Sequence, residues 1–180
     1  MLAYTFWHWP RAGVAPADYE RRQAAFHQAL AEHPPAGFLG SATAAVTAPW
    51  ADGYEDWYRV EDYAALGTLN EAAVSHARAA SHDAAAALAE GGAGGLYALR
   101  AGEPTVRPTQ ANWFTKPAGM AHSALIEDLG PLVERHGGAL WMRQLVLGPA
   151  PEFCLQATSP IRLPAALDVL RLPLRPVWPA

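Results

Sequence analysis

The sequence predicts an α+β protein in which one order of elements, β-α-β-β-α-β, runs twice along the chain. Three observations predict it. Aromatic-rich segments of strand length alternate with Ala-rich segments of helical period. Proline and glycine gather in punctuating clusters, such as "EHPPAG" and "RLPLRPVWP", that mark many short elements rather than disorder. Large apolar residues stand on both faces of the predicted strands, Phe6 beside Trp7 and Trp141 beside Met142, so neither face of a sheet is left to water.

The elements follow in order. Residues 2–9 read as a strand buried on both faces. Residues 16–33 read as an amphipathic helix, with Tyr19, Phe26 and Leu30 at helical spacing, Asp18 near its start and Pro34-Pro35 as its stop. Residues 37–46 and 55–60 are strands. A helix follows, with Asp62 as its N-cap and Leu66, Leu69 and Ala73 on one side. A short helix over 81–90 ends at Gly91-Gly92, and 95–102 is the fourth strand. The order then restarts: a strand over 110–116, a helix over 121–137 interrupted near Gly130-Pro131, strands over 139–148 and 151–157, and a short helix from the Ser159-Pro160 start. "PLRPVW" reads as an edge strand, where proline is tolerated.

Residues 1–104 and 109–180 are thus predicted as two tandem ferredoxin-like repeats. Local echoes support the duplication: aligning Pro10 with Pro117 puts Phe6-Trp7 on Trp113-Phe114, and Asp56-Trp57 matches Glu152-Phe153. Bare sheet faces rich in apolar residues predict that the two units pack sheet to sheet as one compact single-chain α+β barrel, with helices outside. The alternative is a single mixed α+β domain of another topology.

Composition narrows function. The chain has 180 residues, 51% hydrophobic and 17% charged, enough for a sizeable core. A formal net charge of -4, with Lys116 the sole lysine, argues against nucleic acid as a partner. No apolar run approaches the roughly 20 residues that span a bilayer, so no membrane partner is expected. The first residues lack the basic region and small-residue cleavage site expected of a signal peptide, and Cys154 is the single cysteine, so a cytoplasmic location is the simplest expectation. A small molecule of unknown identity is the expected partner, with a homodimer as the candidate assembly.

The stretch "WYRVEDYAALGTLNEAAVSHARAASHD", residues 57–83, carries an aromatic strand, an acid-capped helix and a late histidine. In this it resembles the dimeric α+β barrel superfamily. That group includes antibiotic-biosynthesis-type monooxygenases, EthD-like and stress-responsive barrel proteins and, more distantly, haem-binding chlorite dismutase-like proteins. Most members build the barrel from two chains; duplication would build it here from one. The resemblance further implies a ligand cavity between the sheets.

Candidate chemistry centres on a few residues. Trp7, Trp9, Trp57, Trp113 and Trp141 fall on predicted strands. With Phe6 they would wall a pocket for a flat aromatic or polyketide-like molecule, or simply fill the core. His8 ends the first strand, which in a ferredoxin-like sheet places it near Glu55, Asp56 or Trp57. It is the candidate catalytic group, a general base for an enol or phenol proton, against the reading of a structural histidine. By the same pairing Lys116 lies near Glu152. Arg143 and Arg59 sit within strands and would need a carboxylate, Glu152 for Arg143, or an anionic ligand. His76 and His82, like His27 and His33, are six apart and point about 120° from one another on a helix, a poor chelate; no metal site is expected. No motif selects a cofactor, so none is predicted. The reading is a small-molecule-binding barrel protein, with cofactor-independent monooxygenase-like chemistry as its enzymatic form. The alternatives are a solid-core, non-catalytic oligomerisation protein and a haem-binding barrel.

Overall fold

The computed structural model describes residues 1–145 and 147–179. The first half holds β1 (Leu2–Pro10), α1 (Pro16–Glu32), β2 (Phe38–Ala48), β3 (Ala51–Val60), α2 (Tyr63–Ala73), a 3₁₀ turn (His76–Arg78), α3 (Ala79–Ala86) and β4 (Ala89–Gly102). The second holds β5 (Gln110–Phe114), α4 (His122–His136), β6 (Ala139–Arg143), β7 (Phe153–Ala157), β8 (Val169–Pro173) and β9 (Arg175–Trp178).

The strands join in one sheet, ordered β8-β5-β7-β6-β4-β1-β3-β2-β9. Every pairing is antiparallel. The two ends of that order, β8 and β9, are consecutive in the chain with only Leu174 between them, so the sheet curls into a nearly closed barrel. Within each half the neighbours follow one pattern, β4-β1-β3-β2 and β8-β5-β7-β6. The halves join where β4 pairs with β6. Pro176 sits on β9 at the end of the order, opposite Ala44, as expected of an edge strand.

Local sequence explains most elements. Pro16 starts α1 inside its first turn, where a missing N–H costs nothing. Tyr19, Gln23, Phe26, His27 and Leu30 then form its buried stripe. The Asp62 side chain accepts a hydrogen bond from the Ala65 backbone N–H at 2.9 Å and caps α2. Helix α4 runs continuously past Pro131 and closes on Gly137, whose φ of 64° is the left-handed cap glycine favours.

Three expectations are corrected. Among the described residues the second half has no helix after β7: residues 158–168 are turn and irregular chain, because Pro164, beyond the first turn, would remove an i→i−4 donor and clash with the preceding turn. The βαββαβ order is therefore complete only in the first half. The run "EGGAGG" does not end a helix but lies inside β4. Opposite it stand the aromatics of β1, and a Cβ on Gly91 would meet the Trp9 ring at 3.0 Å, with Phe6 against Gly92 and Tyr4 against Gly94. Glycine there makes room for rings. The strand predicted to reach Gly148 ends at Arg143; Val146 lies outside the described residues.

Alternation along the strands decides which residues meet. Ala3 and Trp7 on β1 and Trp57 on β3 join the barrel interior, with Tyr97, Trp113, Trp141 and Cys154. Tyr4, Phe6 and Tyr58, one residue out of step, belong to the cluster under the helices of the first half. The aromatic echo inferred from sequence is out of step with these faces. It laid Trp7 on Phe114, yet Phe114 packs under α4 with Leu125, Leu129 and Phe153. Trp7 faces the interior, as Trp113 does. A one-residue slip exchanges the two faces of a strand, so the echo is no evidence of duplication. No helix among the described residues is long and apolar enough to cross a membrane.

Candidate functional site

A cavity of about 710 Å³ lies between the helix-side face of β1 and β3 and the helices α1, α2 and α3. It is not between sheet faces, as the resemblance had implied. The barrel interior is instead filled by indoles: Trp7, Trp113 and Trp141 are fully buried there. Burial of such rings is worth about 3–5 kcal/mol each against alanine, so the interior is a structural core.

The cavity is open because its roof is small. Gly67, Ala73, Ala85 and Ala86 come from α2 and α3, and Ala89 from the start of β4. Its walls are Phe6, Phe26, Leu30 and Leu69, and its floor is polar: His8, Tyr19, Asp56 and Tyr58. Tyr63 and Val74, both half exposed or more, stand at the rim.

Asp56 organises the floor. The Tyr58 hydroxyl donates to its Oδ2 at 2.7 Å. Its Oδ1 lies 3.2 Å from His8 Nε2 and 3.4 Å from His27 Nε2. Neither approach has hydrogen-bond alignment, and all three atoms lack an aligned partner. Both imidazoles meet the carboxylate at contact distance. Each imidazole is fixed by its other nitrogen. His8 Nδ1 shares a hydrogen bond with the Tyr19 hydroxyl, and His27 Nδ1 with Ser41 Oγ, both at 2.7 Å. The His27 ring also stacks on Tyr58, 5.2 Å apart and nearly parallel.

Electrostatics follow from burial. Asp56 and His8 are each 1% exposed. Burial pushes the Asp56 carboxyl up, but the His8 and His27 imidazoles outweigh it and hold the carboxyl well below the usual carboxylate range. Burial, then the Asp56 charge, pushes the Tyr58 phenol up, so it remains a donor. Tyr19 is raised by the same two causes. A ligand group reaching the floor thus meets an imidazole backed by a carboxylate, flanked by two phenols that stay protonated. No group of His, Cys, Asp and Glu among the described residues is arranged to hold a metal ion.

Of the residues singled out from sequence, Phe6 and His8 line this cavity, and Trp7, Arg59, Trp113, Trp141 and Arg143 do not. Arg59 is half-buried with its guanidinium over Gly40, burial lowers its pKa, and its Nε has no partner. Arg143 donates from Nη1 to the Ala150 carbonyl at 2.9 Å, so it braces its own loop rather than pairing with Glu152. The Glu152 carboxylate is taken by His122 at 2.5 Å, not by Lys116. His8 does lie against Asp56, one of its three expected neighbours. His27, Tyr19 and Gln23 were missed as a site. Their signal was visible: three polar residues four apart, on the inward stripe of an amphipathic helix.

No protein-family model and no curated protein matches the chain. Solved structures do. A candidate monooxygenase from Fusobacterium nucleatum subsp. nucleatum superposes with a TM-score of 0.61 at 12% identity, over 98% of this chain and 91% of that one. An anthrone oxidase-like protein gives 0.54 at 8%, over 88% and 73%. A candidate chlorite dismutase gives 0.51 at 10%, over 98% and 95%. The chain shares the fold of these neighbours.

Proposed function

We propose that the chain is a small-molecule-binding barrel enzyme whose helix-side cavity takes a flat aromatic or polyketide-like compound bearing an enolic or phenolic proton. The observation that carries this is the pairing of His8 with Asp56 at the floor of an otherwise apolar, aromatic-walled cavity. His8 is the general base. With Nε2–H toward Asp56 Oδ1, the Nδ1 lone pair accepts the Tyr19 hydroxyl proton, so the substrate proton reaches His8 through that hydroxyl, and Asp56 stabilises the imidazolium formed.

The neighbours named for monooxygenase and anthrone oxidase-like proteins support a cofactor-independent oxygenation. The chemistry balances without a cofactor. Loss of a proton from an activated CH₂ leaves a carbanion. Its electron pair reduces dioxygen as a C–O bond forms, giving a hydroperoxide. Loss of water leaves a carbonyl, so one CH₂ and one O₂ yield one C=O and one H₂O.

The cavity does not fit haem, the group the chlorite dismutase-like neighbour would suggest. Its lining includes neither Lys nor Arg to meet two propionates. His8, on its floor, is tied to Tyr19 by one nitrogen and lies against Asp56 by the other. The duplication of one βαββαβ unit belongs to this reading as well; the shared strand order supports it and the absent helix after β7 counts against it.

The test is oxygen uptake with anthrone as the probe. Uptake should exceed the buffer rate, and His8→Gln should lower it by about 10²–10⁴-fold, the worth of a positioned base. A rate equal to buffer, or one unchanged in His8→Gln, would overturn the proposal. Binding of the probe without turnover would overturn the enzymatic reading and leave a small-molecule-binding protein.

A further inference from the structure

The barrel interior holds a titratable group that the cavity does not use. Glu55 is 1% exposed and adjoins Asp56 on β3, but faces the other way. The Trp57 indole N–H donates to its Oε1 at 3.1 Å, and the Trp7 indole N–H to its Oε2 at 3.4 Å. Those two indoles belong to one continuous aromatic network. Trp57 lies 5.4 Å from Trp141 and 6.1 Å from Trp113 by ring centroids. Trp7 lies 5.7 Å from Trp113. Trp7 and Trp113 both reach Trp50, at 5.9 and 5.5 Å. Trp50 is only partly buried, in the turn between β2 and β3, and so connects the network to the surface.

A solid core has no use for a carboxylate, and burying one is unfavourable. A carboxylate bonded to two indoles can, however, do what no apolar side chain can. An indole that loses an electron becomes strongly acidic at its N–H. In a nearly closed barrel, where Glu55 is 1% exposed, the resident carboxylate is the nearest acceptor for that proton.

We propose that the barrel interior is a one-electron relay, in which Trp57 or Trp7 releases an electron outward through Trp113 and Trp50 and passes its indole proton to Glu55. The step balances. An outer-sphere one-electron oxidant takes an electron from Trp50, which is refilled from Trp57 through Trp113. The Trp57 N–H bond breaks and an O–H bond forms on Glu55. The products are a neutral indolyl radical, a carboxylic acid and the reduced oxidant. A small-molecule reductant of the ascorbate class returns the electron at Trp50, and Glu55 returns the proton. Burial raises the Glu55 carboxyl to about 7, which makes it a better proton acceptor than an exposed carboxylate. The relay stands on the interior geometry alone and does not depend on the cavity's chemistry.

Flash photolysis of the full chain, with ruthenium(III) tris-bipyridine generated in solution as oxidant, tests it. The absorption of a neutral indolyl radical should appear. Trp50→Phe should slow its appearance at least tenfold. Glu55→Gln, which keeps an acceptor oxygen for one indole, should replace it with an indole radical cation of at least tenfold shorter lifetime. Unchanged rates and spectra in both variants would overturn the relay. So would a signal that disappears only in Trp9→Phe or Trp178→Phe. Near-ultraviolet circular dichroism checks the fold, and if Trp50→Phe does not fold, Glu55→Gln decides alone.

Discussion

Two surfaces of one sheet face helices, and they are filled differently. In the first half the sheet presents His8, Asp56 and Tyr58 to three helices roofed by glycine and alanine. In the second half it presents Phe114, Phe153 and Leu155 to α4, and the non-helical segment adds Ile161, Leu163 and Leu167. The Phe114 and Phe153 rings stack parallel at 5.6 Å. The same strand order thus supports a dry, closed layer on one side and a polar-floored cavity on the other. The difference lies in side chains, not in topology. Large aliphatic residues seal a helix–sheet layer; small ones over a hydrogen-bonded polar cluster leave it open.

The largest effect expected from breaking this contrast is at Asp56. Asp56→Asn removes the buried charge that faces two imidazoles and accepts from Tyr58, and losing one partner of such a buried cluster costs about 3–5 kcal/mol. The sign with pH is fixed. The folded carboxyl is held below its unfolded value, so its contribution is present above about pH 4 and is lost as pH falls through the folded value. Urea unfolding at pH 7 and pH 3 should therefore show the variant's deficit shrinking on acidification. An equal deficit at both pH values would mean that packing, not charge, holds the floor.

Glu55 should behave in the opposite way. Its carboxyl is raised by burial from 4.5 to about 7. It therefore favours the fold only when protonated, and stability falls as pH rises between those values. At 1.36 kcal/mol per unit, Glu55→Gln should stabilise the chain by about 3 kcal/mol at pH 8 and by little at pH 4. A variant no more stable than the parent at pH 8 would show that the two indole donors already offset the burial.

The smallest effect sharpens the account of the roof. Gly67 lies within α2, and a Cβ there would meet nothing within 4 Å. Gly67→Ala should stabilise the chain by about 0.5–1 kcal/mol and leave the cavity open. Loss of stability in a thermal melt would show that the roof needs a flexible helix.

Much of this was legible in sequence, for definite reasons. The stripe of α1 and the Asp62 cap are local signals, and both stand as expected. The helix predicted after Ser159 failed because its apolar spacing and its Ser-Pro start hid the cost of Pro164. The site was half legible. Antiparallel pairing of β1 with β3 brought His8 to Asp56, a consequence of topology alone. The location of the cavity was not. Phe6-Trp7 and Asp56-Trp57 pair large residues on opposite faces, so composition cannot tell which of each pair looks inward. Only the register, with Phe6 opposite Asp56 and Trp7 opposite Glu55, settles it. His27 was hidden because it was weighed against His33 as a chelate rather than with Tyr19 and Gln23 as one inward row.

One consequence of β3 remains. Asp56 and Trp57 are consecutive, one touching the cavity and the other packed among the indoles beyond the sheet. Any occupant that shifts Asp56 must move the backbone from which Trp57 hangs, and with it the distance to the Glu55 carboxylate. The summed tryptophan emission of the chain is then expected to change with occupancy, readable without a label.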